Sequence, residues 1–130
     1  MKTSIVHLNL LFAWLGILLG FVSGMALGLF FQREDWLGGY GSFKRRLYRL
    51  GHISFFGLGA VNLMFYLTVQ PFEIDALITT AGWFFVFGAI SMPICCAIMA
   101  HFPRAKMLFA VPVLNLIAGG TLTILEIIKR

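Results

Sequence analysis

Two histidines are the residues with most scope for chemistry. His52 follows a cationic run, Lys44, Arg45, Arg46 and Arg49, and opens an apolar stretch. His101 closes the segment MPICCAIMAH. If their helices run antiparallel, both rings lie at similar depth in the same half of a bilayer. A pair of histidines on neighbouring helices is how a b-type haem takes its axial ligands. Gly59, seven residues after His52 and nearly on its face, would leave room for a macrocycle, with Phe55 and Phe56 as apolar walls. A second ligand set is Met92, Cys95, Cys96 and Met99 with His101, soft or borderline donors suited to copper. Against copper, adjacent cysteines diverge by about 100° on a helix. The alternative for His52 is structural: a hydrogen bond to Ser54, Asn115 or a backbone carbonyl, or contact with lipid phosphate beside Arg49.

No Ser-His-Asp set, H-E-x-x-H, C-x-x-C, phosphate loop or dinucleotide-binding glycine motif is present. That favours a structural or interaction role over an enzyme. No acid lies deep in an apolar run, where proton-coupled carriers place one. In particular, the first run lacks the glutamate of small four-span exporters. It also lacks the glycine and arginine pattern of small fluoride channels.

These residues need elements to hold them, and composition says which. The 130-residue chain is 60% hydrophobic and only 12% charged, too few charges to cover a soluble domain. Continuous apolar runs cover about 5–31, 47–69, 76–101 and 107–128. Each approaches the roughly 20 residues that cross about 30 Å of hydrocarbon. The expectation is an all-α integral membrane protein, one four-helix transmembrane domain over 1–130 with short loops. The first run is too long for the apolar core of a signal peptide, so it reads as a retained span.

Charge sets the expected orientation. Arg33, Lys44, Arg45, Arg46, Arg49, Arg104 and Lys106 share one side; Lys2, Lys129 and Arg130 share the other. Basic loops stay in the cytoplasm. That puts both termini on the outer, periplasmic side of a bacterial inner membrane. The cations fall in connections rather than along a stacking groove, so nucleic acid is not an expected partner. Lys44, Arg45, Arg46 and Arg49 are instead expected to meet anionic lipid headgroups or an acidic partner surface. Trp36, Tyr40 and Phe43 belong at headgroup level, and Ser42 and Asp75 are expected helix caps. Pro93 and Pro112 are expected to interrupt spans three and four.

Gly16, Gly20, Gly24 and Gly28 recur every four residues along the first span. Such stripes let backbones approach closely. The neighbour is either another helix of the chain or a partner, including a second copy. Asn62 is expected in an interhelical hydrogen bond, and Glu126 in pairs with Lys129 or Arg130.

The leading expectation is an accessory or assembly subunit within a larger membrane complex, of which an electron-transfer complex is one kind. It would carry bound lipids and no cofactor. The rival is a small bis-histidine haem or quinone-linked redox protein using His52 and His101. A third reading is a small dimeric channel or carrier.

Overall fold

The structure is a computed structural model that describes residues 2–130, with side chains from residue 5 onward. The side chain of Lys2, counted above among the outer cations, therefore lies outside the described residues. Four helices carry the fold: α1 (Lys2–Leu29), α2 (Phe43–Val69), α3 (Ala76–His101) and α4 (Ala110–Lys129). All four are long and apolar enough to cross a membrane, the last counted with the 3-10 stretch Pro103–Phe109 that leads into it.

The caps fall where local chemistry places them. Ser42 Oγ accepts from the Arg45 N–H at 3.1 Å, and donates to the Leu37 carbonyl at 2.6 Å. Asp75 Oδ1 accepts from the Ile78 N–H at 3.0 Å. That bond, helped by Lys129, holds the Asp75 carboxyl below its ordinary range. Pro112 departs from expectation. Because α4 begins at Ala110, Pro112 sits in its first turn, where a missing N–H leaves no intrahelical bond unmade. Pro93 does lie inside α3.

α3 is the centre of the bundle. It packs on α1, α2 and α4, while α1 and α2 pack along each other. Bare glycine surfaces set the close approaches. A Cβ at Gly16 would stand 2.6 Å from the Phe55 carbonyl oxygen and 3.0 Å from Gly59 Cα, so α1 and α2 cross backbone to backbone. Gly88 receives Leu116, and Gly119 receives Phe85, where α3 meets α4.

A buried amide pair ties α1, α2 and α3 together in the third of the bundle nearer the α2–α3 turn. Asn9 Nδ2 donates to Asn62 Oδ1 at 2.7 Å and to the Gly82 carbonyl at 3.1 Å. Asn62 Nδ2 donates to the Leu58 and Phe85 carbonyls at 2.9 and 3.5 Å. Around it pack Ile5, Val6, Phe65, Ile78, Ala81 and Phe85. Asn62→Leu strips Asn9 of its side-chain acceptor and should cost about 0.6–2 kcal/mol. SDS-induced unfolding reads the loss. The double replacement with Asn9→Leu should cost less than the two singles together, because they share one bond. Strict additivity would show that the amides are not coupled.

Lys129 and Arg130, at the end of α4, are fastened to the α2–α3 turn. Lys129 Nζ lies 3.1 Å from Asp75 Oδ2 and 3.5 Å from Glu126 Oε2. Arg130 Nε donates to Glu126 Oε1 at 2.7 Å, its Nη2 reaches the Glu73 carbonyl at 3.0 Å, and its guanidinium covers Phe72. Glu126, only 1% exposed, is thus satisfied by both cations.

Candidate functional site

The residues around His52 assemble at the basic end of the bundle. α2 presents the imidazole to α1, where its Nδ1 lies 2.9 Å from Ser23 Oγ. The Ser23 hydroxyl also lies 3.2 Å from the Gly20 carbonyl. One hydroxyl proton cannot serve both. If Ser23 donates to Gly20, Nδ1 carries the proton and Nε2 is an acceptor; in the other arrangement Nε2 is a donor. Either way, Nε2 is a hydrogen-bonding atom with no partner among the described residues. Gly24 makes room for the ring: a Cβ there would come within 2.9 Å of Cε1. Phe56 packs edge-on against it, with centroids 5.7 Å apart.

His101 is held separately. Its Nε2 lies 2.8 Å from the Tyr48 hydroxyl on α2, and the two rings meet edge-on. The two histidines expected as one ligand pair thus have different neighbours, Ser23 for one and Tyr48 for the other. The Nε2 of His101, which an axial ligand would use, is engaged. The room expected beside Gly59 is filled by α1, because a Cβ there would lie 3.0 Å from the Ala13 carbonyl and 3.5 Å from Gly16 Cα.

The soft donors also diverge. Cys95 Sγ donates to the Leu108 carbonyl at 3.3 Å, towards α4. Cys96 faces α2, its Cβ 3.4 Å from where a Cβ on Gly51 would be. Met99 packs with Leu47 and Ala100. No group of three or more His, Cys, Asp or Glu suited to a metal occurs among the described residues. Nor do the other polar groups expected near His52 join it. Ser54 bonds the Gly51 carbonyl and Asn115 the Val111 carbonyl, each on its own helix.

Arg45 stands apart from the rest of the cationic cluster: it is buried, 2% exposed. Its Nη1 and Nη2 donate to the Arg33 and Phe31 carbonyls at 3.1 and 3.0 Å. The guanidinium lies 3.8 Å from the Tyr40 ring centroid and 5.4 Å from that of Trp36. Tyr40 in turn donates to the Phe31 carbonyl. The loop folds back over Arg45 because Leu37, Gly38 and Gly39 all take positive φ, the region that suits glycine. Arg46 and Arg49 are exposed and Lys44 is half-buried.

The glycine stripe is mostly occupied from within. Gly16 meets Gly59, Gly20 meets Phe56 and Gly24 meets His52, all on α2; Gly28 has nothing within 4 Å.

A feature not foreseen from spacing is a groove between α1 and α3, floored by α2. Its section at the basic end, about 360 Å³, is lined by Ser23, His52, Trp36 and Phe30 among others. A second section of about 410 Å³ shares Phe55, Pro93 and Ala97 with the first and runs on to Phe12. Small residues on α3 could have hinted at it, but only the three-helix arrangement makes it a groove. Comparison of the chain with protein families, curated proteins and solved structures finds no match.

Proposed function

We propose that the chain is an accessory or assembly subunit of a larger membrane complex, carried in a bacterial inner membrane by its four helices with the basic loops cytoplasmic. What supports this reading is how differently the two ends use their cations. At the terminal end, Lys129 and Arg130 are closed into ion pairs with Asp75 and Glu126. At the other end, Lys44, Arg46, Arg104 and Lys106 have no carboxylate partner among the described residues. A cationic face left open beside apolar helices suits an anionic surface, either lipid headgroups or an acidic region of a neighbouring subunit. The connections are too short to form a domain of their own, so association is the work such a chain can do.

The haem alternative has against it the separate partners of His52 and His101 and the filled space at Gly59.

The test is purification from native membranes in a mild detergent, with the chain tagged at its own expression level. The expected result is co-migration with a partner in fixed ratio, lost or weakened when Arg46, Arg104 and Lys106 are changed to Gln. A chain that runs alone from native membranes, and passes ions when reconstituted by itself, would replace this reading with the channel. A Soret band in the purified chain would replace it with the cytochrome.

A further inference from the structure

The groove between α1 and α3 is unequal along its length. From Phe12 to Phe30, α1 advances about 27 Å, most of the thickness of a hydrocarbon layer. Over most of that length the lining is aliphatic or aromatic carbon. Polar side chains gather only at the basic end, where His52, Ser23 and Tyr48 line the wall. Tyr48 is engaged by His101 and Ser23 by His52, which leaves His52 Nε2 as an imidazole nitrogen with no partner among the described residues. Trp36 and Phe30 stack beside it, ring centroids 5.1 Å apart and planes 13° from parallel. No Lys, Arg, Asp or Glu lines either section among the described residues. Arg45, the nearest buried cation to Trp36, directs its Nη atoms at backbone carbonyls.

Each feature constrains an occupant. A long apolar groove takes a hydrocarbon or isoprenoid tail. A wall without cations gives a phosphate nothing to pair with, and burying an unpaired charge is costly. An imidazole nitrogen beside stacked aromatic rings fits a flat, neutral head with a carbonyl or hydroxyl oxygen. From this geometry we infer that the groove binds a tailed quinone or quinol, its ring oxygen on His52 Nε2, its ring against Trp36, and its tail running past Ala97 towards Gly16. This site concerns the isolated chain and stands independently of the subunit reading.

The chain in nanodiscs of neutral phosphatidylcholine, with Trp14→Phe and Trp83→Phe so that Trp36 is the sole indole, supplies the assay. The probe is decylubiquinone, whose fully substituted ring offers the Cys96 thiol no open position for addition. Saturable quenching of Trp36 is expected. His52→Ala should weaken it about ten-fold, the loss of one good hydrogen bond, and His52→Gln should recover part of it. Ala97→Phe, which fills the junction of the two sections, should also weaken it. Tetramethylbenzoquinone, with the ring but no tail, should bind at least about ten-fold more weakly. Quenching that stays linear with the quinone in the bilayer, or that is equal in the parent and in Ala97→Phe, would overturn the proposal. So would displacement of decylubiquinone by phosphatidylglycerol at equal membrane fraction, since the occupant would then be a phospholipid. Because this assay uses the chain alone, its failure is distinct from failure to recover a partner complex.

Discussion

Gly16→Leu should pull α1 from α2, while Gly28→Leu should leave the fold intact, although both lie on one stripe. The difference lies in what each new side chain meets. At Gly16 the obstruction is backbone, the Phe55 carbonyl oxygen at 2.6 Å and Gly59 Cα at 3.0 Å, and neither can rotate away. The helices must separate, and the Asn9–Asn62 bond lies between the same two helices. At Gly20 the obstruction is the Phe56 ring and at Gly24 the His52 ring, side chains that can give ground. At Gly28 nothing stands within 4 Å. Overpacking against side chains costs about 1–3 kcal/mol. The Gly16 variant belongs at or above the top of that range, with Gly20 and Gly24 lower. Gly28→Leu should fall within about 0.5 kcal/mol of the parent. SDS-induced unfolding of the four variants should reproduce that order. If Gly28→Leu unfolds as readily as Gly16→Leu, in-chain packing is not what the stripe is for. If Gly28→Leu keeps the fold but loses a co-purifying partner, the end of the stripe is an interface.

Why some of this was readable from sequence and some not follows from the range of each interaction. Caps are local: Ser42 and Asp75 bond N–H groups three residues ahead, so their type and position suffice. Helices are legible because an apolar run of that length has few other backbone solutions. The close approach at Gly16 was legible as a close approach, but its partner was not, since spacing along one helix says nothing of the face opposite. His52 shows the same limit. Its depth could be counted from the end of the run. Its direction, towards Ser23 rather than His101, depends on how α2 is rotated against α1. The groove is further from sequence still. It exists only where three helices leave a gap, and residues from Phe12 to Ala97 contribute to it. The burial of Arg45 has a physical reason that spacing does not carry. A cation in a basic run is usually solvated, and this one is covered because a loop with three positive-φ residues returns over it.

Arg45→Gln is the second substitution with a large expected effect, and its neighbour supplies the control. Arg45 holds two carbonyl oxygens of the loop, those of Phe31 and Arg33, and lies over Tyr40 and Trp36. Hydrogen bonds to a charged donor contribute about 1.5–3 kcal/mol each. Cation–π contact adds about 0.5–2 kcal/mol. The parts share one guanidinium and do not sum, so the loss should be about 3 kcal/mol. It should appear first as opening of residues 30–42 rather than as unfolding of the bundle, because the helices pack through other contacts. Hydrogen exchange at the amides of Gly38, Gly39 and Ser42, which bond within the loop at 3.1–3.2 Å, reads that opening. Arg45→Lys should not restore protection. One ammonium cannot present a planar fork to two carbonyls and stack on a ring at once. Arg46→Gln should leave exchange unchanged, since Arg46 is exposed and has no carboxylate partner among the described residues. Equal exchange in the Arg45 and Arg46 variants would mean that the loop holds itself through Tyr40 and Ser42 alone. The consequence reaches the groove, because Trp36 touches both Arg45 and Phe30. A loosened loop should free the indole from its place beside His52, so Arg45→Gln should weaken decylubiquinone quenching while leaving the Ser23–His52 contact intact. The cation expected to face a partner would then act on the site from beneath it.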